Sequence, residues 1–133
     1  MAVSFAQSGS AIRPFGTTHA DYFHGEIPCA RSLTEAEING EYEKNTGKVI
    51  IKTFEDKDPD AIPGVLVKNH DPFAWGKDPI DAVHNAAVME EVAAMTFNTI
   101  MINRGTEDVP SHLMDRHYLR KHGRNAYYGQ EKK

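Results

Sequence analysis

The segment that most constrains this chain opens at Asp78-Pro79. Asp offers a side-chain acceptor to the first orphan N–H groups of a helix and Pro presets the helical φ, so the spacing predicts a helix from 79 to about 102. Its row Ile80, His84, Val88 and Val92, and its stripe Val88, Val92, Met95 and Thr99, supply the face that meets a core. On that row His84 reads as a buried, hydrogen-bonded histidine rather than a ligand.

Such a helix needs a layer to lie on. Residues 63–68, PGVLVK, predict a strand that ends at Asn69-His70-Asp71-Pro72. Residues 48–54, KVIIKTF, predict another, followed by a charged loop over 55–63, and 73–76 read as a further short strand. Thr34 and Glu37 form a capping box, Ile38 and Tyr42 follow at helical spacing and Gly47 closes the segment, so a helix is expected over 35–46. Gly40 falls inside it at a cost of about 1 kcal/mol, which suggests a close approach to that backbone. The first ten residues read as helical turns with Ala2, Phe5 and Ala6 on one side and Gly9 as stop. Residues 12–15 read as extended and 19–23 as loop, and Pro110 opens a last helix that Gly123 ends. The order of elements implies one layered α/β domain over 1–133, with strands too few to close a sheet comfortably on their own. A chain that begins inside a helix reads as shortened at its amino-terminal side.

Charge is unevenly spread. Residues 116–133 carry six basic side chains (Arg116, Arg120, Lys121, Arg124, Lys132, Lys133) against Glu131, so the tail is about +5 and the rest about −9. The tail suits an acidic neighbouring subunit or an anionic substrate. Nucleic acid is not expected, because no recognised motif accompanies the tail and the acidic body repels a polyanion. No apolar run approaches a membrane span and the amino terminus does not read as an export signal. The single cysteine, Cys29, cannot form an internal disulfide and has no nearby His or second Cys, so the cytoplasm is the expected compartment and a nucleophilic role is not expected.

Several side chains could carry chemistry. His19 and Asp21 lie two apart in a loop, where a carboxylate can act as acid or base and an imidazole can hold it or bind metal, although Asp21 or Thr18 could equally cap a turn. His70 follows an apolar strand, the place where α/β folds commonly put ligands and catalytic groups. A catalytic zinc takes three protein ligands, and no HxH or HExxH pair accompanies His70. In the last helix His117, Arg120 and Arg124 fall on one face, either solvated or functional. Tyr127 and Tyr128 offer a phenol or simple aromatic packing.

The blocks GTTHADYF (16–23), IPC (27–29), EINGEYE (37–43), PGVLV (63–67), HDPFAWG (70–76), DAVHN (81–85), KHG (121–123) and AYYGQ (126–130), in this order, closely resemble the L-ribulose-5-phosphate 4-epimerases of the class II aldolase/adducin family. The resemblance implies a three-layer class II aldolase/adducin-like α/β domain, here without the upstream His-x-His pair and phosphate loops. It implies Asp21 and Tyr128 as acid/base groups on opposite faces of a phosphorylated pentulose, and His70 as one ligand of a catalytic Zn2+. Thr17, Glu43, His117 and Arg120 are implied as supporting groups. The reaction implied is zinc-assisted retro-aldol cleavage of the C3–C4 bond and re-addition with C4 inverted, giving D-xylulose 5-phosphate. Within the same family stand two alternatives, a sugar-phosphate aldolase and a catalytically inactive assembly module. The resemblance further implies a homo-oligomer in which Tyr128 reaches a neighbour's site, in keeping with residues 125–133 having no amphipathic pattern with which to fold back on their own core.

Overall fold

A computed structural model describes residues 1–130; Glu131, Lys132 and Lys133 of the basic tail lie outside the described residues. Three strands form one sheet in the order β1 (Cys29–Ala30), β2 (Gly64–Val67), β3 (Pro72–Ala74). β1 runs parallel to β2 with Cys29 opposite Leu66, and β3 runs antiparallel with Val65 opposite Phe73. The tight β2–β3 reversal uses Asn69 at φ 63°, a left-handed conformation that Asn tolerates better than most residues.

Alternation along β2 builds the layers, since successive side chains point to opposite faces. Val65 and Val67 join Ala30 and pack with Val49 of α4 (Tyr42–Thr53). Leu66 packs instead with Phe5 of α1 (Ala2–Ser8) and with Met89 and Val92 of α5 (Pro79–Ile102). Both faces of β2 are therefore covered, which is why its sequence is continuously apolar. The result is the expected three-layer α/β arrangement. A short α2 (Thr17–Ala20), where loop was expected, and α6 (Ser111–His122) pack on each other beside these layers through Ala20, Val109 and Met114.

Several expectations hold closely. Asp78 accepts from the Asp81 N–H at 2.8 Å and α5 ends at Ile102. Gly9 closes α1 at φ 72°, and α6 lies between Pro110 and Gly123. The Thr34–Glu37 box is formed on both sides at the start of α3 (Glu35–Asn39), and Arg31 grips the Glu37 carboxylate with two guanidinium nitrogens.

Three expectations fail for identifiable reasons. The helix expected over 35–46 is two helices, broken at Gly40 (φ −95°, ψ −134°), with Asn45 Nδ2 spanning the break to the Glu37 carbonyl at 3.0 Å. The strand expected over 48–54 is the second half of α4, which runs straight through Gly47. Its buried or half-buried positions Thr46, Val49, Ile50 and Thr53 recur at helical spacing, and Thr46 and Thr53 donate their hydroxyls to carbonyls four residues back. Packing of Val49 on the sheet outweighs the β-propensity of the Val-Ile-Ile run. On α5 the buried face is Asn85, Met89, Val92, Ala93 and Thr96. Ile80 and His84 lie outside it, and His84 is exposed with its ring tilted against Tyr22 at 5.3 Å. Val92 of the expected row is buried and Val88 packs against the core, so the expected stripe meets the core along one edge only.

Among the described residues no helix is long and apolar enough to cross a membrane.

The fit of α5 on β2 gives a test. A Cβ at Gly64 would overlap the Met89 terminal methyl and lie 3.3 Å from the Phe73 carbonyl oxygen. Gly64→Ala is expected to lower folding free energy by about 1–3 kcal/mol in denaturant titration. An unchanged midpoint would show a looser α5–sheet contact.

Candidate active site

Asp21 follows the single turn of α2 and caps its carboxyl end, which turns the side chain toward α6. His117 Nδ1 donates to Asp21 Oδ1 at 3.0 Å, and Arg120 Nη2 donates to both carboxylate oxygens at 3.1 and 3.3 Å. His122 Nε2 donates to the Asp21 carbonyl at 2.8 Å. All three donors lie along α6: His117 and Arg120, three residues apart, face the carboxylate, and His122 reaches the backbone carbonyl. The carboxylate and its two side-chain partners are mostly shielded from water, so these charge-assisted bonds are stronger than surface pairs.

Tyr128 completes the cluster. The Arg120 guanidinium sits 4.1 Å from the centroid of its ring, and Lys121 Nζ lies 4.1 Å from the Tyr22 ring and 5.8 Å from that of Tyr128. The Tyr127 and Tyr128 N–H groups donate to the Arg120 carbonyl, and Gln130 Nε2 donates to that of Lys121. Contrary to expectation, residues 125–130 therefore fold back on α6 of their own chain. Backbone and aromatic–cation contacts do this, which no apolar periodicity records. The Tyr128 hydroxyl makes no hydrogen bond among the described residues and the side chain remains half-exposed. Arg120 Nε is buried without a partner, so the cluster has a donor to spare.

The side chains of the other sequence candidates make no hydrogen bond to the cluster among the described residues. Thr17 is half-buried in the first turn of α2, its carbonyl accepting from the Asp21 N–H. Glu43 is exposed in the first turn of α4. His70 stands at the β2–β3 turn with its ring near Phe73 and Tyr42, at 5.4 and 6.1 Å between centroids. Among the described residues no hydrogen bond or ion pair joins it to the Asp21 cluster. His19 is 3% exposed, its Nε2 donates to the Gly25 carbonyl at 2.7 Å, and its buried Nδ1 has no hydrogen-bond partner among the described residues. Neither Thr18 nor Asp21 caps the start of α2, where Gly16 occupies the N-cap position.

A zinc centre does not fit the residues described. They include no group of three or more His, Cys, Asp or Glu side chains placed to hold a metal. His70 Nδ1 also accepts from the Asp71 N–H at 2.7 Å, so a neutral ring carries its hydrogen on Nε2, the nitrogen a metal would need. Cys29 is half-buried, and burial pushes its thiol up, away from the thiolate a nucleophile requires.

Sequence reasoning gave His122 no role, and for His24 it did not foresee the contact the structure shows, Nε2 lying 2.7 Å from Asp115 Oδ1. His24, Tyr118 and His122 stack in a column with centroid separations of 4.7 and 4.5 Å. The signal available was the i, i+4 spacing of Tyr118 and His122, but nothing local points to a partner ninety residues away.

Burial lowers His19 from its ordinary 6.5 to about 4, so it is neutral near pH 7. The unfolded chain takes up this proton first as pH falls. Its contribution to stability is therefore complete above about 6.5 and is lost progressively down to about 4, a span worth about 3 kcal/mol. Denaturant titration through that window should show the loss, and His19→Gln, which can still donate to Gly25, should flatten it. An equally steep dependence in the variant would assign acid sensitivity elsewhere.

Residues 1–97 match the Class II Aldolase and Adducin N-terminal domain. Two curated proteins named L-ribulose-5-phosphate 4-epimerase UlaF, from Salmonella paratyphi A and Salmonella typhi, are each 58% identical over 130 residues. The matched stretch is 98% of this chain and 57% of each relative, so the chain spans little more than half the length of the curated relatives it matches.

Proposed function

The chain belongs to the class II aldolase/adducin family, and from that premise we propose that it carries the acid/base part of an L-ribulose-5-phosphate 4-epimerase site. The observation that carries the reading is that one guanidinium, Arg120, holds both the Asp21 carboxylate and the Tyr128 ring. Inversion at C4 through bond cleavage needs two proton-transfer groups, because the oxygen leaves from one face and returns on the other.

In this reading the Asp21 carboxylate takes the proton of the C4 hydroxyl as the C3–C4 bond of the pentulose phosphate breaks. The aldehyde fragment turns, and on re-addition the Tyr128 phenol gives its proton to the C4 oxygen from the opposite side. His117 and Arg120 position Asp21 by fixing the rotation of its carboxylate. Thr17 supports the turn that presents Asp21, while Glu43 and His70 make no hydrogen bond to this cluster among the described residues. A homo-oligomer that exchanges α6 between neighbours keeps each of these contacts and makes the site a shared one. In a full-length chimera, in which this chain replaces the matching residues of a relative, mixing Asp21→Asn with Tyr128→Phe subunits then restores activity, whereas contacts confined to one chain give no recovery.

A specific observation favours one alternative. Because the described residues hold no three-ligand metal set, an inactive assembly module is the second reading. A chimera decides between them, with this chain replacing the matching 130 residues of the Salmonella typhi relative. Interconversion of L-ribulose 5-phosphate and D-xylulose 5-phosphate is expected, with kcat reduced roughly 10²–10⁴-fold by Asp21→Asn or by Tyr128→Phe and with metal content unchanged. Full turnover in either variant contradicts the assignment, and a folded but inactive chimera supports the assembly module.

A further inference from the structure

His19 is buried, takes no part in the Asp21 cluster and is hydrogen-bonded at one nitrogen only. The Gly25 carbonyl can only accept, so Nε2 carries the ring hydrogen, and burial keeps the ring neutral near pH 7. Nδ1 is then a bare acceptor. It is shielded from water, and no protein donor reaches it among the described residues. Buried polar atoms in folded proteins are nearly always paired, so this one calls for a donor from outside the chain.

The same ring lines a cleft of about 320 Å³ between the start of α2 and the second half of α5. Gly25, which holds the other nitrogen, is not in that wall, so Nδ1 is the polar atom the ring offers to the cleft. Phe15, Val92 and Met95 supply apolar surface, with Thr96 and Thr99 beside them. The Thr96 hydroxyl already donates to the Arg13 carbonyl at 2.9 Å. Among the described residues the wall contains no Lys, Arg, Asp or Glu. A charged ligand would give up its hydration there with nothing to offset the loss. An uncharged ring gains by burying its faces against Phe15, Val92 and Met95. The volume lies at the lower end of the ~300–1,000 Å³ typical of small-molecule sites, so the ligand is a small one.

We propose that this cleft binds a small uncharged ring compound with one O–H or N–H donor, of the phenol or N–H heterocycle class, and that the donor bonds to Nδ1 of His19. No residue of the Asp21, His117, Arg120 and Tyr128 cluster lines the cleft. The inference therefore does not rest on the epimerase assignment, and the failure of either leaves the other standing.

The probe is phenol, titrated into the 133-residue chain carrying isotope-labelled histidine. The nitrogen resonance of His19 Nδ1 should start at the free-acceptor end of its range and move saturably toward the hydrogen-bonded end, while those of His70 and His84, outside the cleft, stay in place. Anisole, the same ring with its donor methylated, should bind roughly five- to tenfold more weakly and leave Nδ1 unmoved. Thr99→Trp, which fills the cleft from a half-buried position on α5, should abolish saturable phenol binding with the circular dichroism spectrum unchanged. Should that variant misfold, the comparison of phenol with anisole on the unaltered chain still decides the matter. Equal binding of the two, no saturable binding of phenol, or an Nδ1 resonance already at the hydrogen-bonded end without phenol would each overturn the proposal.

Discussion

The clasp of His117 and Arg120 on Asp21 is the interaction on which the candidate site depends. α6 buries only Met114 among its own residues, so apolar contact anchors it far less firmly than it anchors α1 or α5. What fixes its orientation is polar: two donors on one carboxylate, His122 on the Asp21 carbonyl, and the stacked column of His24, Tyr118 and His122. Hydrogen bonds of this kind contribute about 1 kcal/mol each, more when charged and shielded. They also carry direction, which apolar burial does not. The groups that dock the helix are the same groups that set the rotation of Asp21 and, through Arg120, the place of Tyr128.

Legibility in the sequence follows the range of the forces concerned. The ends of α5 and α1 were readable because Asp78, Pro79 and Gly9 act on their own backbone. β2 was readable because a strand covered on both faces is continuously apolar. The second half of α4 was not, since Val49 packs on a sheet strand, and β-branched residues fit that contact from a helix as well as from a strand. The buried side of α5 was legible only in part, at Val88 and Val92, because apolar residues also lie on its outward side.

The site shows the same division. Asp21 and Tyr128 were reached through motif blocks and His117 and Arg120 through their shared helix face, and the structure brings the four together. His24, His122 and the folding of the tail on α6 depend on contacts between distant parts of the chain, which no local pattern encodes. His70 was placed correctly at the end of a strand, yet it stands away from the Asp21 cluster with Nδ1 already engaged. The chain thus presents a carboxylate, a guanidinium and a phenol in an ordered cluster, a single imidazole at a separate turn, and exposed apolar side chains on its longest helix. The match to little more than half of each relative places these features in one frame, a family scaffold seen in part.

A double-mutant cycle between Asp21 and Arg120 tests this account most directly. Folding free energies of the unaltered chain, Asp21→Asn, Arg120→Gln and the double variant give the coupling between the two side chains. Shielded charge-assisted bonds predict about 1 kcal/mol or more of favourable coupling. Effects that simply add, within about 0.3 kcal/mol, would mean that Arg120 does not hold Asp21 and that the site is not organised by this clasp.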